Sequence, residues 1–102
     1  AEHAAEVLER EAQIAGYQEI LKQRRMRLEA DAREVLELFC ELYGRDGIPK
    51  VDFASIKRFV DKLGLDQTLW ACEKAHATFP NWYPKGFKYF CGICWKLIKG
   101  DA

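Results

Sequence analysis

An all-α fold, a compact cluster of three to four helices with a long N-terminal helical extension, is predicted by three features of this 102-residue sequence. Apolar residues recur at intervals of three, four and seven. No segment alternates with period two, as a half-buried strand would, and glycine–proline clusters cut the second half into pieces of helix length. With 49% hydrophobic and 31% charged residues, the chain can build one modest core, so it allows one small domain or one domain plus an appendage.

Residues 2–43 contain one glycine, Gly16, no proline, and many Ala, Glu, Leu, Arg and Gln, which is the composition of a long helix. Val7, Ile14, Leu21 and Leu28 repeat every seven residues, and Val35 continues the column. The positions a second coiled-coil column needs hold Arg10, Glu11, Tyr17, Gln18, Arg24 and Arg25 instead, so the stripe is narrow. Residues 1–30 are therefore expected to be an extension serving docking or self-association, and residues 31–102 the helical domain, with room for a break near Glu29–Asp31. From Ala32 the apolar face widens to Val35, Leu36, Phe39, Leu42 and Tyr43. Gly44-Arg-Asp-Gly47-Ile-Pro49 stops this helix.

Asp52 is the expected N-cap of the next helix, whose core face is Phe53, Ile56, Phe59, Val60 and Leu63, with Gly64 as its C-terminal cap. A further helix runs through Phe79 with Leu65, Leu69, Cys72, His76 and Phe79 on one face. Pro80-Asn-Trp-Tyr-Pro84 breaks it, and the last helix spans about Lys85 to Lys99, ending at Gly100.

Charge is balanced overall but not along the chain. Residues 1–50 carry a net −3 and residues 51–102 a net +3. At 100° per residue, Lys85, Lys88, Lys96 and Lys99 fall on one narrow arc of the last helix. Gly92 lies in the middle of that arc, where a missing side chain lets a ligand reach the backbone, and Tyr89 and Trp95 flank it. Trp82, in the preceding loop, extends the same neighbourhood. Lysines attract phosphates without regard to sequence, and rings beside them offer stacking platforms for unpaired bases at about 1–3 kcal/mol each. The helix has no acidic residue, which favours a nucleic-acid contact over a merely solvated face or an acidic protein partner. Arginines and amides suited to reading base edges are missing from it, so single-stranded or non-specific DNA is the expected ligand. A second basic cluster, Gln23-Arg-Arg-Met-Arg27, has Glu19, Glu29 and Asp31 around it and is expected to form a salt-bridged surface.

Cys72-x3-His76 followed by Cys91-Gly-Ile-Cys94 has metal-ligand spacing, and two adjacent helices could close a tetrahedral zinc site with these four residues. All four also fall on apolar stripes, where a cysteine packs as a small hydrophobe, and core packing is the favoured reading, with no cofactor. Cys40 has no local partner. Four cysteines in a helix-rich chain do not resemble a secreted disulfide framework. No segment approaches the roughly 20 apolar residues of a membrane span; a cytoplasmic protein is expected. No glycine-rich phosphate loop or catalytic triad is present, and His3 stands alone near the start, so no enzymatic reaction is specified.

The stretch from Phe53 to Lys99 resembles the DnaD-type domain of primosome proteins and phage replisome organisers. The likeness rests on Leu63-Gly64, on Ala71 and Ala75 in the following helix, and on Tyr89 and Ile93 in the closing helix. The family's closing motif continues with Trp four residues on, whereas this sequence has Leu97 there and Trp95 two residues earlier. The resemblance implies a role in bacterial or phage DNA replication. It implies DNA contact through Lys85, Lys88, Tyr89, Trp95, Lys96 and Lys99, and a replicative helicase or another replication protein as partner. The alternative is a protein-interaction adaptor acting through the N-terminal helix.

Overall fold

The computed structural model describes residues 2–100, with side chains from residue 18 onward. It is all-α: α1 spans Glu2–Tyr43, α2 Lys50–Leu63, α3 Leu65–Thr78 and α4 Tyr83–Lys99, with no strand among the described residues. The expected break near Glu29–Asp31 does not occur, and α1 is one continuous helix. Nothing between Tyr17 and Ala32 is a glycine or proline, so no residue there interrupts its hydrogen-bond ladder. Every described side chain from Gln18 to Arg27 is exposed, and Leu28 is the first to pack against the core. Val7, Ile14 and His3 lie outside the residues whose side chains are described.

The core forms where the second half of α1 crosses the other three helices. Ala32, Val35 and Phe39 from α1 are fully buried with Ile56 of α2, Ala71, Cys72 and Ala75 of α3, and Phe90 and Cys94 of α4. Phe39 is its hub: its ring meets Phe90 edge-on at 4.9 Å, Tyr83 edge-on at 5.8 Å and Phe87 at 5.6 Å. Such edge-to-face pairs add about 0.5–1.5 kcal/mol each beyond their burial.

Three local expectations shift. Asp52 does not cap α2: the helix starts at Lys50 after Pro49, with no side-chain cap. Asp52 lies in the first turn, where a carboxylate suits the helix dipole, and accepts a 2.9 Å hydrogen bond from the buried Tyr83 hydroxyl. Pro84 does not end the interruption between helices but sits in the first turn of α4, where its missing N–H would have no helical partner anyway. The buried face of α3 is Thr68, Ala71, Cys72 and Ala75, one step round from the expected Leu65–Leu69–Cys72–His76–Phe79 face. Small residues let α3 approach its neighbours, while Leu65 and Leu69 pack at its edges. The Thr68 hydroxyl donates to the Gly64 carbonyl at 2.7 Å, which allows that polar group to be fully buried.

Gly86 controls how α4 meets α1. A Cβ there would overlap the Tyr43 hydroxyl and crowd its ring, and that hydroxyl donates to the Phe79 carbonyl at 2.9 Å. Gly92, on the same helix, has nothing within 4 Å of a Cβ position. The same substitution should therefore have opposite signs at the two sites. Gly92→Ala should stabilise by up to about 1 kcal/mol through helix propensity, and Gly86→Ala should destabilise by about 1–3 kcal/mol through overpacking. Adding Tyr43→Phe to Gly86→Ala should recover part of the loss. Urea unfolding of the four proteins checks the sign at each site.

Candidate nucleic-acid interface

The lysine arc of α4 opens onto a groove between α3 and α4 of about 640 Å³. Lys85, Lys88, Tyr89, Gly92 and Lys96 line it from α4, so five of the residues singled out by helical phase share one concave surface. Ile93 and Leu97 form its apolar floor on the same helix. The opposite wall comes from Trp70, Lys74 and Phe79. A smaller groove of about 390 Å³, between α1 and α2, carries Glu37 beside Arg33 and Lys50, so its charge is mixed.

Rings and ammonium groups are interleaved in the larger groove. Lys74 Nζ stands 4.9 Å from the Trp70 ring centre and Lys85 Nζ 5.0 Å from that of Phe79. Tyr89 packs edge-on against Phe79 at 5.4 Å. Trp70 nevertheless remains 49% exposed, so part of its surface is open to solvent beside Lys74. Among the described residues the single ion pair is Lys57–Glu29 at 2.9 Å, which leaves Lys74, Lys85, Lys88 and Lys96 without a carboxylate partner.

Three of the singled-out residues fall elsewhere. Trp95 does not join Tyr89: its ring packs edge-on against Phe59 of α2 at 5.4 Å. Helical phase placed the two rings on opposite flanks of the lysine arc, and because α4 is wedged between two helices each flank faces a different one. Trp82, the N-cap of α4, is 64% exposed and outside the groove wall. Lys99 is exposed at the end of α4, one turn beyond Lys96, and does not line the groove either. Conversely, Trp70 and Lys74 were missed, because they sit on a different helix. Their signal was a tryptophan on the polar side of α3 with a lysine four residues on, the spacing at which two helical side chains meet.

Among the described residues, Arg24, Arg25 and Arg27 do not form the expected salt-bridged surface. Glu29 turns to Lys57 on α2 instead, and that ammonium group, by hydrogen bond and charge, lowers the carboxyl's pKa.

The candidate zinc ligands do not converge. Among the described residues, no three of His, Cys, Asp and Glu are grouped as a metal site requires. His76 packs edge-on against the Tyr43 ring at 5.0 Å. Cys72 and Cys94 are fully buried in the core, and all four cysteines are free thiols. Burial, assisted by nearby Glu73 and Cys94, pushes the Cys72 thiol up to about 12, and burial pushes Cys94 up to about 12 and Cys91 up to about 11. These groups are small hydrophobes in this setting, not nucleophiles.

Compared with protein-family models, curated proteins and solved structures, the chain matches none. No described helix is long and apolar enough to cross a membrane.

The raised thiol pKa values couple stability to alkaline pH. Cys72 and Cys94 hold their protons in the folded state up to about 12, against an ordinary value of 9.0, so the unfolded chain releases protons first as pH rises. Their contribution is complete below about pH 9 and is lost between there and about pH 12. Urea-unfolding stability should fall above pH 9 and fall less steeply in Cys72→Ala/Cys94→Ala. An equal slope in the double variant would assign the alkaline loss to other groups.

Proposed function

We propose that this chain is a non-enzymatic nucleic-acid-binding accessory module that holds DNA, single-stranded or without sequence preference, in the groove between α3 and α4. The observation that carries this reading is the coincidence of four lysines lacking carboxylate partners with Trp70, Phe79 and Tyr89 around one apolar groove. A solvated helix face would scatter its charges over convex surface and intersperse acids. Here the ammonium groups rim a concavity whose floor is apolar, so phosphates can meet lysines while a base enters the groove and meets a ring. The same chemistry reads no base edge, which fits binding without sequence preference.

The resemblance of residues 53–99 to DnaD-type domains is what suggests a role in bacterial or phage DNA replication, in the cytoplasm, with a replicative helicase or another replication protein as partner. Tyr89, Ile93 and Leu97, which occupy the positions of that family's closing motif, all line the groove. A second reading, a protein-interaction adaptor, draws on α1: Ile20 and Met26 are 51% and 63% exposed there.

Fluorescence anisotropy of a labelled single-stranded oligonucleotide, titrated across a salt series, tests the proposal. Binding should weaken log-linearly with salt at a slope near −3, the value for about four phosphate contacts on a single strand. Lys88→Glu/Lys96→Glu should abolish it, and Trp70→Ala should weaken it by roughly 5- to 150-fold, the equivalent of one stacked base. Gly92→Leu should fill the groove and block binding while the protein stays folded. Trp95→Ala should leave affinity within about twofold if the fold is retained, because that ring faces α2. Unchanged binding in Lys88→Glu/Lys96→Glu would remove the groove as the DNA site. Capture of an acidic peptide in place of DNA would move the function to protein recognition.

A further inference from the structure

The apolar stripe that α1 buries in its own domain does not end where the domain ends. Leu28, Ala32, Val35 and Phe39 form the part packed against α2, α3 and α4. Leu21 lies seven residues before Leu28, and Ile14 and Val7 continue the interval. A seven-residue step drifts only about 20° around a helix, so the sequence continues the same column toward the start of α1. Within the described residues it is uncovered: Leu21 is 37% exposed, and Ile20 beside it 51%.

The charges along this segment have a symmetry of their own. Between Glu2 and Gln13 there are four glutamates and one arginine, a net −3. Between Ala15 and Arg27 there are one glutamate, one lysine and three arginines, a net +3. Ile14, a stripe position, divides them. A second copy laid antiparallel with its Ile14 against Ile14 sets each acidic half beside the other chain's basic half. It also sets Val7 against Leu21 in both directions, and Glu6 level with Lys22. A parallel pair would set −3 beside −3 and +3 beside +3, the like-charge arrangement that selects against an orientation. In the antiparallel register the partner's Glu2 comes level with Met26, about half a turn before Leu28.

We infer that α1 is a homodimerisation element that pairs antiparallel with a second copy of this chain, over residues 2–26, on a two-fold axis at Ile14. The occupant of the stripe is thus another copy, selected by charge as well as by apolar contact. The overlap is about 25 residues, or roughly 37 Å of helix. This inference does not depend on what the α3–α4 groove binds.

Sedimentation velocity of the full chain over a concentration series tests the association. Val7→Cys and Leu21→Cys variants, mixed and oxidised, test the orientation. The chain should sediment as a dimer at low salt and dissociate as salt rises. Ile14→Glu should give a monomer that keeps its helical circular dichroism. Glu6→Lys/Glu9→Lys/Glu11→Lys should weaken the dimer at least about tenfold, and adding Lys22→Glu/Arg24→Glu/Arg25→Glu should restore it, because the complementarity is then inverted rather than lost. Peptide mass analysis should find position 7 joined to position 21. A monomer at all concentrations up to about 0.5 mM, well above the Kd of a specific dimer, would overturn the inference. So would position 7 joined to position 7, which only a parallel pair permits.

Discussion

Because Gly86 carries no Cβ, the first turn of α4 can lie directly against the Tyr43 hydroxyl, which donates to the Phe79 carbonyl where α3 ends. One hydrogen bond thereby ties α1 to the corner joining α3 and α4, and the missing side chain sets how close α4 comes. The aromatic cluster around Phe39 depends on that distance, since Tyr83 and Phe87 lie on either side of Gly86 in sequence and both reach the Phe39 ring. Tyr83 holds the corner from the other side through Asp52, with the Arg45 guanidinium 4.2 Å over its ring. Burial and the Asp52 carboxylate both push the Tyr83 phenol's pKa up, so it stays a neutral donor in this link. The groove is a consequence of the same geometry: α3 and α4 converge at the Phe79 corner, and the space beside it is what Trp70 and the lysines line.

The fold was legible because helix periodicity and punctuation act locally. Gly64 at φ 85° and Gly100 at φ 75° occupy the positions at which the sequence demanded helix ends, and left-handed backbone there is what glycine permits. The errors arose where a tertiary partner decided the outcome. Asp52 looked like a cap because only its own helix was in view, whereas a tyrosine 31 positions later claimed its carboxylate. The leucines of α3 looked like its core face because size was equated with burial, whereas three closely packed neighbours required Ala71 and Ala75 there. The site was half legible for the same reason. Phase around α4 is an intrinsic property, so Lys85, Lys88, Tyr89, Gly92 and Lys96 could be grouped from sequence. Which neighbour each flank meets is not intrinsic, so neither the packing of Trp95 on Phe59 of α2 nor the placing of Trp70 and Lys74 opposite Tyr89 could be read from α4 alone.

Two of the groove lysines sit over aromatic rings, which has a bearing on how such a surface could work. A cation held over a ring at an exposed site gains about 0.5–1 kcal/mol, less than the stacking of a base on the same kind of ring. On the proposed reading the lysine is a replaceable cover: it shields the ring in the free protein and would swing to a phosphate when a base arrives. The protein need not create an apolar platform on binding, since α3 and α4 already hold it open. The ordering cost falls mainly on flexible lysine side chains, about 0.5–1.5 kcal/mol for each one immobilised.

An antiparallel α1 pair would change what one groove can achieve. Leu28, where each domain begins, is 14 residues from the proposed axis at Ile14, so the two domains would be held roughly 42 Å apart by helix. A spacer of that kind suits a long polyanion better than a compact ligand. A strand able to span both grooves makes its second contact intramolecularly, and overall affinity can then exceed that of one groove by 10²–10⁴ without any new contact. A strand too short to span them gains nothing. If the groove holds DNA as proposed, the narrow stripe and segregated charge of α1 would thus set the length of strand that is preferred, a kind of selectivity that four lysines and three rings cannot supply by themselves.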